Sequence, residues 1–269
     1  MKRHLALLAG FSRQGLRVTT AYTAAFWMEL LNVVVKIAAI TAVWRALYDH
    51  APGAFPVDRR AMVTYAVVTQ LAGTSVTWWS GAHFLVAQRL RLGTITADLL
   101  RPVSFPFQLF CWQLGESGAV ALTTVAPAAV AAIALLGLGP PVSPTAALAF
   151  AASLSVGFVI MFATNFLVGM IVVRTLSLSG VQHAYHGVVT LLSGLWIPFW
   201  FYPSWLATLA GWLPFRSVFF TPAAIYVGYL QGEAARWAIA QQLTWMAVLL
   251  GAVHLAWGGA KRRLVVQGG

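Results

Sequence analysis

Six long apolar stretches alternate with short polar gaps along this chain, at about 20–44, 61–84, 105–137, 145–173, 183–200 and 236–258. A hydrocarbon layer about 30 Å thick takes roughly 20 mostly apolar residues per helical crossing. A helix also satisfies its own backbone groups where no water can. The pattern therefore predicts an all-α, polytopic membrane protein with six transmembrane helices, because a soluble core has no use for six such stretches. The third stretch is long enough to tilt or to begin along the interface, and Pro127 is placed to kink it. The fifth is short. It runs into Trp196-Ile197-Pro198-Phe199-Trp200-Phe201-Tyr202-Pro203, an aromatic, proline-punctuated segment typical of a membrane–water boundary.

Composition agrees with that reading: 60% hydrophobic, 9% charged, 12 Trp and a mean hydropathy of +0.79. The few charges also orient the chain. Lys2, Arg3, Arg13, Arg17, Arg89, Arg91, Arg101, Arg174, Lys261, Arg262 and Arg263 fall on one side, and Arg45, Arg59, Arg60, Arg216 and Arg236 on the other. The richer side is expected to be cytoplasmic, with both termini inside. The net charge of +11 then reflects this bias and an attraction to anionic membrane lipid. Nucleic acid is not an expected partner, because the basic residues flank the membrane and form no single stripe. Residues 1–19 begin like a signal peptide, but Arg13 and Arg17 interrupt it early. A basic helix lying along the inner interface fits better. Residues 1–269 read as a single membrane domain, and with Cys111 alone no disulfide can form within it.

Catalytic chemistry is thinly represented. None of the three lysines (Lys2, Lys36, Lys261) sits in a Gly-x-x-x-x-Gly-Lys-Ser/Thr loop, so P-loop nucleotide binding is not expected of this chain. His183 and His186 have the spacing of one helix face, yet a zinc site needs three or four ligands and neither a carboxylate nor a third His suggests itself. They read as interfacial polar residues, as do His83 and His254. No Gly-x-Ser-x-Gly elbow is present. The expectation is a chain that is not an enzyme and holds no metal or cofactor of its own.

Polar residues inside the apolar stretches are a different matter. Glu29, Asn32 and Lys36 form one stripe about two turns long on the first. A charge near the bilayer centre costs roughly 2.5–3.5 kcal/mol on insertion scales, so such groups should face protein or water. Glu29 and Lys36 lie about 10 Å apart along the axis, too far for a tight pair, though Asn32 can bridge them. Glu116 on the third stretch is another candidate partner for Lys36. The stripe reads either as the lining of a pathway or as a polar clamp between helices or subunits. On the second stretch, Gln70 and Thr74 share a face and are candidates to line a translocation path, while Gly73, Thr77 and Gly81 make a small-residue row for close helix approach. Gly187, Thr190 and Gly194 give the fifth stretch a comparable slim face.

The gap between the second and third stretches carries the strongest local signal, Gln88-Arg89-Leu90-Arg91-Leu92-Gly93-Thr94-Ile95-Thr96-Ala97-Asp98-Leu99-Leu100-Arg101-Pro102. Gly93 permits a turn, Thr94 can cap, and Ile95 to Arg101 can make two helical turns before Pro102. A short capped helix bounded by basic residues has the shape of a docking element.

Together with the order of six stretches and the segment from Ser193-Gly194-Leu195-Trp196-Ile197-Pro198 to Leu213-Pro214-Phe215, the Gly-x-Ile-x-x-x-Leu-Leu-Arg-Pro pattern at 93–102 resembles permease subunits of type 2 ABC exporters. The likeness is to the bacterial branch in which a Leu-Leu-Arg-Pro element follows the second span. The resemblance implies an ATP-driven exporter permease in the bacterial inner membrane. It would dimerise, or pair with a six-span relative, and bind two cytoplasmic ATPase subunits that hold ATP and Mg. A coupling helix would map onto Thr94–Arg101 within a coupling loop at 85–104. Asp98 and Arg101 would make polar contacts with the ATPase, and Ile95, Leu99 and Leu100 would be buried against it. Residues 1–19 would be an interfacial connecting helix, and 201–235 would hold short re-entrant helices broken at Pro203, Pro214 and Pro222. The second and fifth spans would line the path. Other classes remain open: an ion-coupled secondary transporter, a membrane-embedded enzyme, or a non-transporting assembly subunit.

Overall fold

The computed structural model describes residues 23–51, 53, 55–76, 82–172 and 178–267, and their regular structure is helical throughout. The interfacial helix expected at 1–19, and Thr77 and Gly81 of the small-residue row, lie outside these residues. In chain order the helices are α1 (Thr23–His50), α2 (Arg59–Ser75), α3 (Ala82–Arg91), α4 (Ile95–Leu99) and α5 (Phe105–Leu136), followed by α6 (Pro144–Val172), α7 (Leu178–Leu192), α8 (Ser204–Gly211), α9 (Phe220–Tyr226) and α10 (Gly232–Gln267).

Four of them are long and apolar enough to cross a membrane: Phe26–His50, Phe105–Leu136, Pro144–Ile171 and Gly232–Arg262. The two remaining predicted stretches form shorter helices. The stretch at 61–84 begins as α2, whose residues from Met62 to Gly73 are all buried within the protein. Lipid sees little of it, which is why it can carry Thr64, Thr69 and Gln70. The stretch at 183–200 ends as a helix at Leu192 and turns at Gly194.

Helix α6 is central, packing against α10, α3 and α9, while α1 packs against α2 and α5. Lipid tails are as apolar as leucine, so helices in a bilayer gain mainly by fitting closely. Small residues mark the closest approaches. A Cβ on Gly169 of α6 would lie 2.8 Å from the Val86 Cβ and 2.9 Å from the His83 backbone of α3. One on Gly157 would lie 3.0 Å from the Val218 carbonyl. Between these contacts sits an aromatic core, in which the Phe105 ring is 5.2 Å from Trp257 and 6.3 Å from Phe166.

In α5, Pro127 has no N–H to offer the preceding turn and its ring crowds a normal one. The helix answers by widening to π geometry at Ala121–Val125; a separate π turn, Ala132–Leu136, closes it. Gly137 then ends it in the left-handed conformation, φ +71°.

Residues 193–231 fold into short pieces: a 3-10 turn at Phe199–Phe201, α8, a second 3-10 turn at Pro214–Ser217, and α9. Pro203 and Pro214 fall at the starts of pieces, as expected of breaks. Pro222 does not break anything: it sits in the first turn of α9, where a missing N–H costs no helical hydrogen bond. Glutamines tie these pieces to α6 and α10. The Gln242 amide donates to the Ser217 carbonyl at 2.6 Å and accepts from the Ser153 hydroxyl at 2.9 Å, while Gln241 donates to the Gly211 carbonyl at 2.6 Å.

Candidate functional site

Gly93, at φ +67°, makes the turn that separates α3 from α4. Thr94 precedes α4 but its side chain makes no capping bond; the Thr96 hydroxyl donates back to the Gly93 carbonyl instead, at 3.1 Å. Helix α4 is a single turn and a half, shorter than the span expected to Arg101. Ile95 is buried in the core cluster that also holds Val86 and Phe105, and Leu99 packs against that cluster.

Asp98 points inward. Its carboxylate is 3% exposed, 2.5 Å from an Arg89 guanidinium nitrogen and 3.4 Å from Arg101. Gln108, in the first turn of α5, donates to the carbonyls of Asp98 (3.1 Å) and Val103 (2.9 Å), and its own oxygen accepts from Arg101 at 3.1 Å. These side chains line a cavity of about 130 Å³ with Leu85, Leu109 and Trp112. The physical result is a brace. A buried carboxylate needs partners; Asp98 takes Arg89 of α3 and Arg101 just past α4, and Gln108 ties α5 in through Arg101 and the Asp98 carbonyl.

In this structure Asp98 is paired inside the chain, and Ile95 is buried against the chain's own core. Of Ile95, Leu99 and Leu100, Leu100 is the one left outside, 88% exposed, and Leu92, Thr94 and Arg101 of the same loop are exposed too. Gln108 was not singled out by sequence reasoning. An amide at the fourth position of a helix that begins Phe-Pro-Phe carries no pattern; its role depends on where the loop folds back.

The intramembrane candidates separate. Gln70 is buried and donates to the Leu195 carbonyl at 3.0 Å, Tyr65 donates to the Gly194 carbonyl at 2.7 Å, and the Thr74 hydroxyl returns to the Gln70 carbonyl at 2.9 Å. Tyr65 and Gln70 thus clasp the Ser193-Gly194-Leu195 turn against α2, while Thr74 bonds within its own helix. At Gly194, φ +74°, a Cβ would lie 2.9 Å from the Tyr65 hydroxyl. On α1, Glu29 and Asn32 are exposed and Lys36 is half-buried; on α5, Glu116 is half-buried. His83 is buried inside the protein. It is 2% exposed, under α6, and its ring lies 5.4 Å from that of His186. Sequence separation of about a hundred residues hid that meeting.

Residues 34–268 match the model of the ABC-2 family transporter proteins, and the chain belongs to that family. No curated protein and no solved structure matches it. Membership defines a multi-pass membrane protein with a permease role in ABC transport, a non-enzymatic component whose system includes a partner ATPase.

Proposed function

We propose that the chain is the permease subunit of an ATP-driven exporter of the bacterial inner membrane. It works as a dimer with itself or a six-span relative and is coupled at Thr94–Arg101 to separate ATPase subunits that bind ATP and Mg. The observation carrying this reading is the brace beneath α4. A docking element must present an apolar contact outward and be fixed rigidly behind it. Leu100 supplies the contact, and the Asp98–Arg89–Arg101–Gln108 cluster supplies the fixing. Force on Leu100 would reach α3 and α5 together, and α3 lies against α6 at Gly169 with no room to yield. In this reading α2 with α3, and α7, complete six spans, both termini are cytoplasmic, and 201–235 re-enter from outside.

Exposed Glu29 and Asn32 on α1 support the dimer, because polar groups in a span are expected to face protein or water. A second permease seated on this stripe would cover them and half-buried Lys36. In-cell photocrosslinking tests the coupling. A crosslinking residue at Leu100 is expected to capture an ABC ATPase identified by mass spectrometry, whereas one at exposed Leu148 on α6 captures none. Absence of an ATPase from the Leu100 adduct would set the reading aside.

A further inference from the structure

Three arginines converge at the far end of the bundle. Gln108, in the first turn of α5, touches the α4 brace, and Leu136, its last residue, touches Arg45. The two ends are thus separated by the length of α5, about 45 Å at 1.5 Å per residue. At the Leu136 end, Arg45 from α1 and Arg59 and Arg60 from the start of α2 line an open groove of about 560 Å³ with Val63, Leu136 and Gly137.

The groove is built, and the builders are not its charges. The Gly139 N–H bonds the Thr64 hydroxyl at 3.2 Å and its carbonyl accepts from Tyr226 at 3.0 Å, pinning the loop that follows α5. A Cβ on Gly139 would come within 3.1 Å of the Thr64 hydroxyl and 3.5 Å of the Arg60 Nε, so glycine keeps that wall close. Two of the arginines have structural work. Arg45 donates to the Leu136 carbonyl at 2.6 Å, and Arg59 pairs with Asp49 at 2.8 Å with both side chains 60% exposed. Arg60 has no carboxylate or carbonyl partner among the described residues. The lining therefore carries three guanidinium groups and no carboxylate, with two exposed carboxylates nearby: Asp49, paired with Arg59, and Asp58, which precedes it. These three are also most of the five basic residues that the sequence puts on this side, where arginine is otherwise sparse.

We propose that this groove binds a phosphate-class oxyanion, with Arg60 as its principal ligand and Arg45 as the second. The planar guanidinium fork matches two phosphate oxygens at once, and a groove with a low-dielectric wall of Val63 and Leu136 strengthens that contact. The oxyanion can be a lipid headgroup, since the groove opens where a membrane surface would lie, or part of a released solute. The inference does not depend on how transport is driven.

The test uses the full chain purified in an uncharged detergent. Phosphatidylglycerol and phosphatidylcholine are titrated separately as mixed micelles, and inorganic phosphate is titrated alone; binding is read by native mass spectrometry and by the shift in thermal unfolding. Phosphatidylglycerol is expected to bind more tightly than phosphatidylcholine, and more weakly as salt rises. Arg60→Gln should weaken that binding about tenfold, as loss of a charge-assisted hydrogen bond does. Arg60→Lys should restore part of it, and Arg236→Gln, outside the groove, should leave it unchanged. Protection by inorganic phosphate as well as by the lipid assigns the site to a free anion; protection by the lipid alone assigns it to a headgroup. Equal binding of the two lipids with no effect of phosphate overturns the proposal. So does Arg60→Gln binding like wild type while eluting as the same folded species.

Discussion

Asp98 and Leu100 are two residues apart and have opposite fates. The first is buried in a brace and the second is almost wholly outside. Sequence pattern gave them a common role, because Leu-Leu-Arg-Pro with a nearby acid looks like one docking surface. What it could not show was the return of Gln108 onto the loop, which turns the carboxylate inward. Substitution separates the two. Asp98→Asn leaves two arginines short of a charge partner inside the brace. It should lower stability by about 1–2 kcal/mol, discounted because both guanidinium groups are 40–50% exposed. Leu100→Asp should leave the unfolding transition of the purified chain where it was. Thermal unfolding in detergent measures both. A large loss for Leu100→Asp, or none for Asp98→Asn, would reverse the assignment.

Among the elements, the long apolar helices α1, α5, α6 and α10 were legible from hydropathy alone, since their outer faces meet lipid along much of their length. The buried helix α2 was legible only as an apolar stretch; the bonds by which Tyr65 and Gln70 hold the Gly194 turn were not, because they join residues about 130 apart. Small residues were read by spacing, which cannot say which of them touch anything. Gly169 and Gly187 make the contrast testable. Alanine in place of helical glycine gains up to about 1 kcal/mol from backbone entropy. At Gly187 nothing lies within 4 Å, so Gly187→Ala should be neutral or stabilising. At Gly169 the new Cβ would meet His83 backbone at 2.9 Å, and backbone cannot rotate away. Overpacking of that kind costs about 1–3 kcal/mol, so Gly169→Ala should be net destabilising. Paired unfolding measurements decide it; equal effects at the two sites would mean that α3 and α6 are not closely apposed.

At the scale of the molecule, the two ends of the bundle differ in chemistry. One presents Leu100 on a short helix tied to α3 and α5, the other a groove of three arginines. Membership of the ABC-2 family makes an ATPase partner part of the system, and the proposed account places its contact at the first end. The membrane class was legible in the sequence because the bilayer enforces it. The brace, the His83–His186 contact and the arginine groove were not, because each joins residues distant along the chain. The most direct test of the central claim is co-purification from native membranes in mild detergent, with any ABC ATPase identified by mass spectrometry, comparing wild type with Leu100→Asp. The account predicts a stoichiometric ATPase on wild type and its loss from a variant that elutes as the same folded species. Equal retention by Leu100→Asp would contradict the assigned contact, and no ATPase on wild type would contradict the coupling itself.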